Sequence, residues 1–142
     1  MNPNVRVVRD DDQCDFCDLD GFRSFGSPVF IENELCLFAN SDHEDALTGN
    51  GIIVPKAHRR TVFDLTPEEV TATFALLNAA KVQLDDRYRP DGYTIGWNCE
   101  AVSGQAVFHA HLHVLLRFAD EPYAGRGLRW WFKQDDNRRP GK

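Results

Sequence analysis

Positive charge is scarce in this 142-residue chain: 16 lysines and arginines stand against 22 aspartates and glutamates, a formal net charge of −6. There is no long basic block, which argues against nucleic acid or an anionic membrane surface as the main partner. A small anionic substrate would need local donors at its own site. No apolar run approaches the roughly 20 residues that span a bilayer. The start, Met1-Asn2-Pro3-Asn4-Val5-Arg6, lacks the apolar core of a signal peptide. A soluble cytoplasmic protein is the expectation. Internal repeats, low-complexity tracts and domain boundaries are also missing, so residues 1–142 read as one domain, long enough to bury a core. Cysteine is sparse, four in all, and only Cys14 and Cys17 lie close together. Without an export signal, such a pair reads as metal-binding or redox-active sooner than as a structural disulfide.

What is present is mostly strand. Phe30-Ile31-Glu32 and Leu35 to Ala39 flank Asn33-Glu34 and predict a hairpin. Asn40 to Asn50 is a polar loop, and Gly51-Ile52-Ile53-Val54-Pro55 reads as a buried strand that proline ends. The clearest helix starts at Thr66-Pro67-Glu68-Glu69, which combines an N-cap, proline at the first position and a capping box. Val70, Phe74, Leu77, Lys81, Leu84 and Tyr88 follow helical spacing and predict its apolar stripe. Pro90-Asp91-Gly92 ends it. Two further strands are expected, Tyr93 to Asn98 and Val107 to Phe118, joined by a short loop as antiparallel neighbours are. The class is α+β: a mainly antiparallel sheet of about five strands with one long helix and a short one.

Three of the five histidines fall in His109-Ala110-His111-Leu112-His113. Strand alternation would line the imidazoles along one face, about 6.6 Å apart, with Ala110, Leu112 and Val114 turned to a core. Such a row can hold a metal, bind phosphate around a nucleophilic imidazole, or be a chance surface feature. Gly104 and Gln105 just before it offer backbone N–H groups and an amide to an anion. No close carboxylate cluster is present to hold a hard cation. Phosphoryl chemistry with a histidine nucleophile accounts for the combination better than metal-assisted hydrolysis.

The segment Gly104-Gln105-Ala106-Val107-Phe108-His109-Ala110-His111-Leu112-His113-Val114 resembles the signature of the histidine triad (HIT) family of nucleotide hydrolases and transferases. Ile53-Val54-Pro55-Lys56-Ala57-His58, Asp64 to Glu69, and Asn98 are similar to further family segments, and Cys14-x-x-Cys17 to the zinc pair of many bacterial members. The resemblance covers about residues 14–118. It implies a HIT-like fold and the activity of enzymes such as diadenosine polyphosphate hydrolases: His111 attacks the α-phosphorus of a dinucleoside polyphosphate or nucleoside phosphoramidate, and water releases a mononucleotide. His113 and Gln105 would hold the phosphate as catalytic donors, with Gly104 and Asn98 binding near it. The resemblance also implies a structural zinc ion held by Cys14, Cys17, His58 and His109, and a homodimer.

Two positions depart from the family pattern. Asn50 stands where a fourth histidine is usual near the phosphate, and Ala106 where a serine or threonine is usual. Asparagine can donate a hydrogen bond but cannot relay a proton. For the ribose hydroxyls Asn40 and Asp42 are both candidates, Asp42 slightly ahead. In the tail, residues 119–142, the adjacent Trp130 and Trp131 either cover their own subunit's sheet or reach a partner's site at a dimer interface, where Arg126 and Arg129 would supply positive charge. Two rival functions stand beside the hydrolase: a nucleotide-binding module with little catalysis, and a hydrolase with one metal shared by the three histidines, which strand spacing disfavours.

Overall fold

Asn33 builds the first hairpin. Its Oδ1 accepts from the N–H groups of Leu35 (3.1 Å) and Cys36 (2.9 Å), turning β1 (Phe30–Glu32) into β2 (Cys36–Asn40). The computed structural model describes residues 14–141; the acidic lead-in around Asp10 lies outside them. Three more strands follow, β3 (Gly51–Pro55), β4 (Gly92–Trp97) and β5 (Leu112–Arg117). They form one antiparallel sheet in the order β1-β2-β3-β5-β4. The expected α+β class is observed. Two short helices, α1 (Leu19–Ser24) and α3 (Leu128–Phe132), accompany the long α2 (Pro67–Tyr88), where the sequence implies one.

Helix α2 begins as its sequence dictates. Thr66 Oγ1 accepts from Glu69 N–H (3.1 Å) and Glu69 Oε1 accepts from Thr66 N–H (2.8 Å), with Pro67 at the first position. Its inward face differs from the expected stripe. Glu69, Thr73, Leu76, Ala80 and Leu84 are buried, whereas Val70 and Phe74 are exposed. Glu69 sets this phase: besides closing the cap it pairs with Arg59 (Nε–Oε1 2.9 Å), and both tasks hold it against the sheet.

Residues of α2 pack with Phe38, Ile53, Leu112 and Val114 on one sheet face. On the other face Leu37, Ala39 and Val54 lie beneath Phe16, Leu19 and Phe22 of the α1 region. Both faces of β2 are therefore covered, which is why Leu35 to Ala39 is an unbroken apolar run rather than an alternating one.

The last strand is shorter than expected, starting at Leu112 instead of Val107. Ala110 N–H donates to the Arg59 carbonyl (2.6 Å), and the His109 carbonyl accepts from a side chain, so residues 107–111 leave the ladder. The three imidazoles consequently do not form one evenly spaced row.

Candidate active site

His109 is fully buried and turns away from its two partners. Its Nε2–H donates to the Pro55 carbonyl (2.8 Å), which directs Nδ1 toward two thiols, 3.5 Å from each of Cys14 and Cys17 Sγ. Cys17 Sγ lies 3.3 Å from His58 Nδ1. The four ligand atoms sit within 4.8 Å of one another. This group can hold a metal ion, and the donor set fits one: two sulfurs, two imidazole nitrogens, and a second hydrogen bond that fixes the His109 tautomer for ligation. Burial pushes the Cys17 thiol up to about 11, and the neighbouring Cys14 adds to the rise.

His111 comes next along the chain, also buried. Its Nδ1–H donates to the His109 carbonyl at 2.8 Å, so Nε2 keeps its lone pair. Burial holds its pKa below the ordinary histidine value, favouring the neutral ring. The His113 ring stands 4.8 Å away, centroid to centroid, at a steep angle, and it too is held low by burial and then by His111. Asn98 Nδ2 lies 3.5 Å from His113 Nε2. Gly104, at φ +98°, brings its backbone against the Asn98 amide: a Cβ there would lie 3.7 Å from Nδ2. His111, His113, Asn98 and Gly104 thus lie together as neighbours.

Gln105 does not join them. It is almost wholly buried, and its amide is bound to main chain on both sides. Oε1 accepts from Glu100 N–H (2.7 Å), and Nε2 donates to the carbonyls of Arg60 (2.7 Å) and Val107 (3.1 Å). It ties the loop of residues 99–105 to the segment before α2. Glu100, at φ +73°, carries backbone strain in that loop and pairs with Arg60 (2.9 Å).

Beside the histidines, between α1 and the sheet, lies a cavity of about 440 Å³. Phe16, Phe22, Phe25 and Ile52 form its apolar walls, with Ser27 and Asn50 among its polar ones. Phe16, from between the two cysteines, touches His111 edge-on at 5.0 Å and so joins cavity to site. In the sequence these aromatics and Ser27 carry no signal beyond the phenylalanine inside Cys-x-x-Cys. Asn40 borders the same cavity, yet its amide is committed: Oδ1 accepts from Val29 N–H (2.8 Å), and Nδ2 donates to the Gly49 carbonyl and Tyr88 hydroxyl (both 3.1 Å). Asp42 accepts from Tyr88 Oη (2.8 Å) and faces Arg87, at the end of α2.

The tail crosses the other half of this sheet face. Arg117 clasps it by donating to the carbonyls of Arg126 and Tyr123 (both 2.8 Å). Leu128 then lies over Gly96, the direct partner of His113 across β4 and β5. The Arg126 guanidinium stacks 4.2 Å from the Trp130 ring and 4.6 Å from that of Tyr123. The tail thus lies on the sheet of its own chain.

A family model described as "HIT domain" matches residues 25–120. The chain belongs to the HIT domain family. Among HIT relatives, the Bacillus subtilis "Protein hit" is 25% identical over 125 residues, 88% of this chain and 83% of that one. A bis(5'-adenosyl)-triphosphatase of Dictyostelium discoideum is 30% identical over 91 residues, 64% of this chain and 60% of that one. The crystal structure of a HIT family protein from Bacillus anthracis superimposes with a TM-score of 0.67 at 25% identity, covering 89% of this chain and 85% of that one. Some HIT relatives are thus nucleotide hydrolases.

Proposed function

We propose that the protein is a nucleotide phosphohydrolase working through a nucleotidyl-histidine intermediate on dinucleoside polyphosphates or nucleoside phosphoramidates. The observation that carries this reading is the hydrogen bond from His111 Nδ1–H to the His109 carbonyl, which leaves a neutral ring with Nε2 free. In the first step the Nε2 lone pair attacks the α-phosphorus. An N–P bond forms, and the P–O or P–N bond to the leaving group breaks, its electron pair staying with the leaving atom, which takes a proton from solvent. In the second step water attacks the same phosphorus and gives up a proton to solvent, the N–P bond breaks with its electron pair returning to Nε2, and the mononucleotide leaves. His113, with Asn98 beside it, would donate to the phosphoryl oxygens as charge builds on them. The aromatic cavity next to Phe16 would take the nucleoside.

Cys14, Cys17, His58 and His109 would hold zinc as a structural ion, a crosslink between the N-terminal segment and the sheet. Free or metal-bound thiols suit a reducing cytoplasm. A homodimer is part of the same reading: β4 ends the sheet, and Val70 and Phe74 leave an apolar face on α2. Light scattering on a sizing column tests it.

A second reading, a nucleotide-binding module with little turnover, is favoured by one observation. The Gln105 donors are spent on backbone carbonyls rather than offered to a phosphate. Mass spectrometry after a brief pulse of diadenosine polyphosphate separates the two. A nucleotidyl adduct on His111, absent in His111→Asn with the fold intact, supports the hydrolase. Tight binding with neither adduct nor product supports the module, and near-normal hydrolysis by His111→Asn refutes the nucleophile.

A further inference from the structure

The peptide unit between His109 and Ala110 is held at both ends. Its carbonyl accepts from His111 Nδ1–H (2.8 Å), and its N–H donates to the Arg59 carbonyl (2.6 Å). A trans peptide is planar, with C=O and N–H pointing in opposite directions, so fixing one end aims the other. An amide whose N–H is bonded also has a more polarised carbonyl, which strengthens the bond that carbonyl accepts. The direction of the His111 ring therefore depends on where the Arg59 carbonyl stands.

Arg59 lies in the connection between β3 and α2, and its side chain is gripped as well. Nε, the guanidinium nitrogen nearest the backbone, donates to Glu69 Oε1 (2.9 Å) and Oε2 (3.3 Å). Glu69 is itself immobilised in the first turn of α2. Oε1 accepts from Thr66 N–H (2.8 Å), the Glu69 N–H donates to Thr66 Oγ1 (3.1 Å), and the residue is only 3% exposed. Burying a carboxylate is costly unless it is paired, and a capping box needs no such burial. The buried charge is committed to holding one residue of a connecting segment. The next carbonyl, that of Arg60, accepts from Gln105 Nε2 (2.7 Å), so the same two-residue stretch carries both the loop and the histidine segment.

On the reading that His111 attacks the phosphorus, we propose that Glu69 is a positioning residue for it. Glu69 holds Arg59, and the Arg59 carbonyl aims the peptide unit between His109 and Ala110. That unit keeps the proton of His111 on Nδ1 and the lone pair on Nε2. Helix α2 packs on the sheet face opposite His113, so Glu69 reaches the site through this chain of bonds.

Glu69→Gln and Arg59→Met test the proposal in the whole protein, each with two readouts. Proton–nitrogen correlation spectra of the imidazole rings report which His111 nitrogen carries the proton. Mass spectrometry during a diadenosine polyphosphate pulse gives the rate of adduct formation on His111 and the half-saturating concentration. In the wild type the proton is expected on Nδ1. In both variants the His111 signals are expected to move toward a mixture of tautomers. The rate is expected to fall about 10-fold, with half-saturation within about 2-fold of wild type. Arg59→Lys, which keeps a cation for Glu69, is expected to recover part of both. Ala80→Gly, in the middle of α2, is the stability control: it is expected to lower Tm and leave tautomer and rate as in the wild type. The Arg59 side chain is partly exposed, so Arg59→Met keeps the test open should the buried Glu69→Gln fail to fold. If the folded variants lose Tm but keep the wild-type His111 signals and rate, Glu69 is a helix cap and the proposal fails. It fails equally if they lose metal by elemental analysis in proportion to rate, since the effect then runs through His58. If the wild type forms no adduct, the nucleotide reading fails, and the ring spectra alone decide the positioning.

Discussion

Replacing Gln105 separates a structural from a catalytic role for the residue that precedes the histidine segment. Its side chain is 1% exposed and makes three hydrogen bonds to main chain, at 2.7, 2.7 and 3.1 Å. In Gln105→Ala the Glu100 N–H and the carbonyls of Arg60 and Val107 lose their partner together. A buried group left unpaired costs about 1–3 kcal/mol, and water can reach some of these. A total near 3 kcal/mol follows, or a fall in Tm of roughly 10 °C for a domain this size. Gln105→Glu retains the acceptor for Glu100 N–H but sets a carboxylate oxygen against two carbonyls. It is expected to cost more than alanine near pH 7 and less as acid protonates the new group. Urea unfolding, followed beside nucleotide turnover, reads both. If Gln105→Ala loses under about 1 kcal/mol while turnover collapses, the amide acts on the phosphate and the strut argument is wrong.

Three other outcomes follow from the packing and the charges. Chelation of the purified protein, or Cys17→Ser, is expected to remove one equivalent of metal by elemental analysis and lower Tm, because the cluster ties the N-terminal segment to Pro55 and the last strand. Gly51→Ala is expected to destabilise by about 1–3 kcal/mol in urea titration, since a Cβ there would meet the Phe38 ring at 2.6 Å and the Ala39 carbonyl at 2.7 Å. The Arg117 guanidinium, then the Phe118 N–H, holds the Glu121 carboxyl below its usual range. The stability this clasp contributes is therefore present above the ordinary glutamate pKa of about 4.3 and lost as pH falls through the lowered folded value. Glu121→Gln is expected to flatten that acid limb in unfolding curves taken between pH 5 and 3.

Features written in neighbouring residues were legible from the sequence. The Thr66 cap, the Asn33 hairpin and the buried run of β3 each depend on contacts within a few positions, and all three stand in the structure. The clustering of Cys14, Cys17, His58 and His109 came through likeness to a family, because nothing local makes residues 14 and 109 meet. What spacing misjudged was decided at a distance. The phase of α2 follows Glu69 and its pairing with Arg59, not the apolar count on its face. The early end of the β5 ladder follows the Ala110 bond to Arg59, and Gln105 is claimed by the same neighbouring segment through Arg60. The aromatic cavity needs α1 folded onto β3, a contact with no periodic trace in the sequence.

His109 does two things with two ends of one residue. Its ring joins the thiol cluster, and its carbonyl accepts from the Nδ1–H of His111. Cys17 is the more exposed of the two thiols in that cluster. Unseating the His109 ring would shift the carbonyl that orients His111, and with it the Phe16 ring packed on His111. The thiol cluster and the His111 tautomer are therefore one mechanical unit: a disturbance at Cys14, Cys17 or His58 reaches the His111 ring through a single residue.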